Sequence, residues 1–177
     1  MSKKFRIGMV AGMGALLILS GGAMAMDLKS AAFREGGMIP VQYTGQGKDM
    51  SPPLSWSAVP KDTKSFALIC DDPDAPMGTW VHWVIYAIPA AQRELNEGIA
   101  QSATLPDGIL QGKNDFGNFG YGGPLPPPGK PHRYFFKLYA LDAAIPLSAG
   151  MEKAAVEKAL KGHILGEARL IGTYQHQ

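Results

Sequence analysis

Hydrophobic residues concentrate in three stretches of the chain. Residues 66–70, 80–88 and 132–141 are rich in β-branched and aromatic side chains and are bounded by Pro, Gly and Asp clusters, which predicts strands between turns. Strict alternation places Trp80, His82, Val84 and Tyr86 on one face of the second strand and Val81, Trp83 and Ile85 on the other, because successive side chains change sides. In the third it sets His132, Tyr134, Phe136 and Leu138 against Arg133, Phe135, Lys137 and Tyr139. One helical pattern runs over residues 151–161, rich in Ala, Glu, Lys and Leu. Ser148 is its candidate cap, Gly162 its stop, and Val156, Ala159 and Leu160 its docking positions. A last strand is predicted over residues 168–174, interrupted at Gly172. Short strands, frequent Gly and Pro, one late helix and no βαβ alternation predict a mostly β domain, two antiparallel layers thick.

Composition narrows the class. The 177 residues are 46% hydrophobic and 18% charged, with 22 Gly, 14 Pro and one Cys, which supplies a packed core and excludes disordered, collagen-like and disulfide-knit chains. Lys3, Lys4 and Arg6, the apolar run 7–19 and then Ala23-Met24-Ala25 predict a secretory signal peptide over residues 1–25, cleaved after Ala25. The mature chain is then one domain over residues 26–177, with a periplasmic or secreted destination. Gly8, Gly12 and Gly14 interrupt the apolar run, which is shorter than the roughly 20 residues of a spanning helix. Without the leader's cations, 14 basic residues face 15 acidic ones, and the formal charge passes from +2 to −1. No Lys/Arg run interleaved with aromatics remains, which argues against a nucleic-acid partner, and no polybasic membrane-surface segment remains either. Cys70, the lone cysteine, ends an apolar run and is read as a buried thiol.

Candidate chemistry concentrates in two loops. Asp71, Asp72 and Asp74 crowd one turn, where mutual repulsion raises a pKa unless cations, donors or solvent intervene. Pro73 and Pro76 stiffen that turn, which leads directly to Trp80 and His82; such a loop can hold a carboxylate against an imidazole and fix its tautomer or charge. The second loop, residues 112–129, is dense in Gly and Pro and lets backbone N–H groups converge on an anion. Together, His82, Asp72 and Asp74 on one side and Gly123, His132 and Tyr134 on the other predict a pocket for a phosphate or carboxylate, with imidazolium, phenol and backbone N–H as donors. The carboxylates are expected to orient His82 and the loop backbone. His163 and His176 are read as structural or solvated. A solvated acidic turn and a plain Pro-rich surface loop are the competing readings of these segments.

Several ordered segments carry a resemblance. Asp72-Pro73-Asp74-Ala75-Pro76, Trp80-Val81-His82-Trp83, the run from Gly120 to Gly129 and His132-Arg133-Tyr134, with Ser51-Pro52-Pro53-Leu54-Ser55-Trp56 upstream and Leu170-Ile171-Gly172-Thr173-Tyr174 at the end, resemble the phosphatidylethanolamine-binding protein family, also called Raf kinase inhibitor-like proteins. The resemblance spans about residues 33–174, and the compact loop between Pro76 and Trp80 is similar to the bacterial and archaeal branch. It implies a β-sandwich-like fold of antiparallel Greek-key sheets with one or two peripheral helices. It also implies an anion pocket lined by Asp72, Asp74, His82, Gly123, Pro124 and His132, with Trp80, Pro126 and Tyr134 as neighbours. Ligands would be phospho-headgroups or similar small anions, some members would act on partner proteins, and a homodimer is suggested. The animal members' long C-terminal helix has no counterpart before Gln177, which speaks against a kinase-inhibitor role.

The expected function is therefore non-catalytic binding of a small phosphate-bearing or carboxylate ligand, with no cofactor and no metal. Two other readings stay open: a metal-assisted hydrolase or histidine-dependent lyase using Asp72, Asp74, His82 and His132, and a protein inhibitor acting through the pocket rim. The sequence contains no Gly-x-Ser-x-Gly elbow, His-x-x-x-His or Cys pair to favour the first.

Overall fold

The structure, a computed structural model, describes residues 25–176; apart from Ala25, the expected signal peptide lies outside the described residues. Among these the chain forms β1 (Asp27–Lys29), β2 (Leu54–Ser57), β3 (Ser65–Asp72), β4 (Trp80–Pro89), β5 (Glu94–Leu95), β6 (Leu110–Gln111), β7 (His132–Leu141), α1 (Lys153–Leu160) and β8 (Ile164–Tyr174). The strands pair antiparallel into two sheets, ordered β1-β2-β5 and β6-β4-β3-β7-β8. In the larger sheet β3, β4 and β6 lie side by side, and β7 returns by a long connection to the other edge of β3, which is a Greek key. The expected mostly β, antiparallel architecture is the one that forms.

Leu28, Leu54, Trp56 and Leu95 of the smaller sheet pack on Phe66, Leu68, Trp83, Ile85, Phe136 and Leu138 of the larger one, with the Trp56 and Phe66 rings edge to face at 5.3 Å. On the outer face of the larger sheet, Ala67, Ile69, Val84 and Tyr86 lie under Val156 and Leu160 of α1. Strand β3 is thus covered on both faces and buried along its whole length, so its sequence reads as a continuous apolar run rather than an alternating one. The helix is shorter than its pattern, and Glu152 rather than Ser148 stands at its N-cap, without a side-chain hydrogen bond. The Ser148 carbonyl instead accepts the Tyr86 hydroxyl at 2.6 Å, which moors the connection to β4.

Strict alternation fails in β4. Asp71 pairs with Val81 but Cys70 with Trp83, which leaves His82 as an extra residue; Leu68 pairs with Ile85 but Phe66 with Ile88, and Ala87 there takes φ +55°. Each such bulge shifts the phase of the side chains by one position. Val81, Val84 and Tyr86 consequently face α1, while Trp83, Ile85 and Ile88 face the smaller sheet. The expected grouping of His82 with Val84 and Tyr86 is therefore corrected: His82 falls on the inner side, edge to face with the ring of Tyr134. In β7 the alternation holds, and Tyr134, Phe136 and Leu138 all point inward.

The final strand is not interrupted at Gly172, which pairs with Tyr134 in an unbroken β7–β8 ladder at that end. A Cβ there would lie 2.5 Å from Ile39 and 2.9 Å from the Phe33 ring, so the glycine makes room for the segment packed across the sheet. Gly172→Val is expected to destabilise the fold by about 1–3 kcal/mol through overpacking, read as a lowered urea midpoint; an unchanged midpoint would contradict this account.

Candidate functional site

His82 is 3% exposed. Its backbone carbonyl accepts the Gly122 N–H at 2.9 Å, and its ring Nδ1 lies 2.6 Å from the Gly122 carbonyl. A carbonyl can only accept, so Nδ1 carries the proton and Nε2 is the free ring nitrogen. Burial pushes the His82 pKa below its ordinary 6.5, against the opposite pull of the Gly122 hydrogen bond and of Asp72, Asp115 and Asp49. The ring is therefore neutral at pH 7 and presents a lone pair at Nε2.

Strand β7 carries His132 to the same recess, where its Nδ1 donates to Asp72 Oδ2 at 2.7 Å. The other Asp72 oxygen accepts the Asp74 N–H at 2.8 Å and closes the acidic turn. Asp72 thus orients His132, not His82 as the sequence suggested, because the bulge aims the His82 Nδ1 at the second loop. Asp74 stands outside the recess. Its carboxylate accepts Arg133 Nε at 2.8 Å and Nη2 at 2.7 Å, together with the Arg133 backbone N–H, and the guanidinium holds this carboxyl below the usual carboxylate range. Its work is to bolt the acidic turn onto the start of β7.

The recess encloses about 220 Å³ between Asp72, Trp80, His82, Phe116, His132 and Tyr134, with Ala75, Pro76, Pro126 and Pro127 as walls and Met77 and Leu125 at the mouth. Of two lining residues, Trp80 Nε1 and the Tyr134 hydroxyl are buried without a hydrogen-bond partner. An orphaned buried donor costs about 1–3 kcal/mol, and both of these belong to residues that line the recess. A third, Trp56 Nε1, lies in the inter-sheet core, and nothing in the structure explains it. Burial, then Asp72, Cys70 and Asp74, push the Tyr134 phenol well up, so it stays a donor.

Gly123 and Pro124 do not line the recess. The Gly123 N–H donates to Asp49 Oδ1 at 2.5 Å, and a Cβ at this position would meet the Tyr43 carbonyl at 2.6 Å. The glycine is needed for close approach of another loop, and its N–H is not available to an anion. Pro124 gives its carbonyl to the Gly45 N–H. Pro126 does form a wall, and its carbonyl accepts His176 Nδ1 at 2.9 Å, which gives that histidine the structural role expected of it. Phe116 was not anticipated: its ring meets Trp80 at 5.5 Å and His82 at 5.4 Å. Asn114 Oδ1 accepts the N–H groups of Phe116 and Asn118, and the Asp115 carboxylate accepts the Val81 N–H. An Asx turn presenting an aromatic was the available signal. Among the described residues no three His, Cys, Asp or Glu side chains are grouped to hold a metal ion.

Followed by NMR, the His82 ring is expected to titrate below 6.5. Since the folded value lies below the unfolded one, the stability linked to a neutral ring is complete above the unfolded pKa and is lost as pH falls through the folded pKa. His82→Gln should flatten that acid slope. A midpoint at or above the ordinary value would contradict the burial argument.

Residues 29–175 match the family model described as phosphatidylethanolamine-binding protein. A UPF0098 protein of Methanothermobacter thermautotrophicus is 54% identical over 150 residues, covering 85% of this chain and 99% of its own. One of Aquifex aeolicus is 48% identical over 160 residues, covering 89% and 93%. Among solved structures, a phosphatidylethanolamine-binding protein homologue of Chlamydia trachomatis superposes with a TM-score of 0.79 at 40% identity, over 86% of this chain and 99% of that one. E. coli YbcL, described as a member of the mammalian PEBP family, superposes with a TM-score of 0.81 at 35% identity, over 87% and 100%. Sequence and fold agree along almost the whole described chain, which belongs to the phosphatidylethanolamine-binding protein family.

Proposed function

We propose that this protein is a non-catalytic binding protein whose histidine recess takes a small anion, a phosphate or phospho-headgroup. The observation that carries the reading is the convergence, on one recess, of two histidines tied back through Nδ1 and two buried donors without partners. Trp80 Nε1 and the Tyr134 hydroxyl would donate to ligand oxygens. His132 would add its Nε2 whenever the ring is protonated. Neutral His82 would accept the hydrogen of a monoprotonated phosphate, or take up a proton as the anion binds. Exposed Met77, Phe116 and Leu125 at the mouth suit an ester that carries an apolar group. Among the described residues no Ser, Cys or Lys lines the recess.

Isothermal calorimetry with inorganic phosphate and phosphoethanolamine tests this. Affinity is expected to rise as pH falls from neutrality toward the depressed pKa of the free His82 ring, because an anion favours the charged form of that ring. His82→Ala should weaken binding about a hundredfold and Tyr134→Phe about tenfold. Unchanged affinity in both variants would refute the site. Release of phosphate from phosphomonoesters, abolished by His82→Ala, would refute the non-catalytic reading.

We also infer export and a paired subunit state, supported by the leader pattern of residues 1–25 and by the resemblance to the bacterial and archaeal branch. Native mass spectrometry of protein expressed with its leader is expected to report chains that start at Met26, two to a particle. Retention of residues 1–25, or a monomer, would overturn the corresponding inference.

A further inference from the structure

Asp71 and Asp72 are neighbours on β3, and alternation sends their carboxylates to opposite faces of the larger sheet. Asp72 serves the histidine recess. Asp71 serves a second, larger recess of about 640 Å³ on the α1 side, bordered by Thr79, Phe135, Lys137, Lys153 and Arg169. Its side chain is only 2% exposed, and one oxygen, Oδ2, accepts both Lys137 Nζ at 2.8 Å and Lys153 Nζ at 2.5 Å. Two ammonium groups are therefore held side by side by a single buried negative charge. Each has further N–H donors beyond the one that Asp71 takes, and Glu157 stands 3.7 Å from Lys153.

Arg169 adds a third cation. Its guanidinium lies over the Phe135 ring at 5.5 Å, with Lys137 over the same ring at 6.0 Å, and no carboxylate pairs with it among the described residues. Glu167 is the other acid of this recess, and it is exposed. Arg133 also approaches Phe135 but is neutralised by Asp74. Among the residues that border the recess, three cations thus face two carboxylates, Asp71 and Glu167, and Lys137 and Arg169 share one aromatic ring.

We propose that this recess is a second anion site, separate from the histidine recess, for a small polyvalent oxyanion whose oxygens bridge the Lys137–Lys153 pair and Arg169 across Phe135. Phosphate esters and dicarboxylates share that chemistry. The charge balance dictates tests of opposite sign: removing the resident carboxylate frees both ammonium groups for the ligand, whereas removing a cation weakens the site.

The experiment is a backbone NMR titration of the mature chain with inorganic phosphate in one arm and succinate in the other. The amides of Thr79, Phe135, Lys137 and Arg169 are expected to shift together, with an isotherm distinct from that of His82 and Tyr134. Succinate moving only the first group assigns a dicarboxylate, phosphate moving it alone assigns a phosphate ester, and either outcome supports the site. Lys137→Gln and Arg169→Gln should each weaken the first isotherm about tenfold, and Asp71→Asn should tighten it about tenfold. Arg169 is exposed, so its variant carries the test should burial make an Asp71 variant unfold. Absence of any shift in the first group when the His82 amide is saturated would overturn the proposal. So would a weakening by Asp71→Asn equal to that by Lys137→Gln, the behaviour of a purely structural ion cluster.

Discussion

Between His82 and Gly122 two hydrogen bonds run in opposite directions, the glycine N–H to the histidine carbonyl and the histidine ring to the glycine carbonyl. They join the extra residue of a bulged interior strand to a loop 40 positions away. Because the ring's partner is a carbonyl, the tautomer is decided, and because the ring is buried, so is its charge. The same closure brings Phe116 onto His82 and explains why position 122 tolerates no side chain: a Cβ there would lie 2.7 Å from the Phe116 ring. A bulge is normally a local adjustment of twist. In β4 it delivers an imidazole to the inner face of a sheet that strict alternation would have kept it from.

The crowded acidic turn is resolved by the same geometry. Three neighbouring carboxylates would repel one another in a flexible loop, yet each has its own cation or imidazole: Asp71 the lysine pair, Asp72 His132, Asp74 Arg133. Pleating separates the first two onto opposite faces, and the turn after β3 directs the third outward. Removing one partner from a buried pair leaves an uncompensated charge, which costs more than the pair contributes. The turn is therefore rigid for an electrostatic reason as well as through its two prolines, and rigidity is what a shape-selective recess beside it requires.

Much of this could be read from residues alone. The strands at 66–70, 80–88 and 132–141 all form, the lone helix docks through Val156 and Leu160, and His82, His132, Trp80, Tyr134, Asp72 and Pro126 do surround one recess. Other readings failed for identifiable causes. The Gly-rich loop predicts Gly123, and the family resemblance implies Pro124, as anion contacts, but a third loop, through Asp49 and Gly45, occupies their polar groups. The shared motif places Asp74 in the pocket with Asp72, yet a bidentate guanidinium lies one residue beyond His132 and captures it. Gly172 looked like a break in a strand and is instead a gap filled by Ile39 and Phe33.

By itself the sequence determined which segments become strands and which loops hold the chemistry, since these follow from apolar runs, turn residues and composition within short windows. Only the tertiary structure decided the partner of each polar group. The pairs that build the recess are 40 and 60 residues apart, and the bulge that selects between them moves a side chain to the other face of a sheet by a shift of a single residue. No local spacing records that shift, because it is set by how β4 must register against β3, two strands packed on both faces.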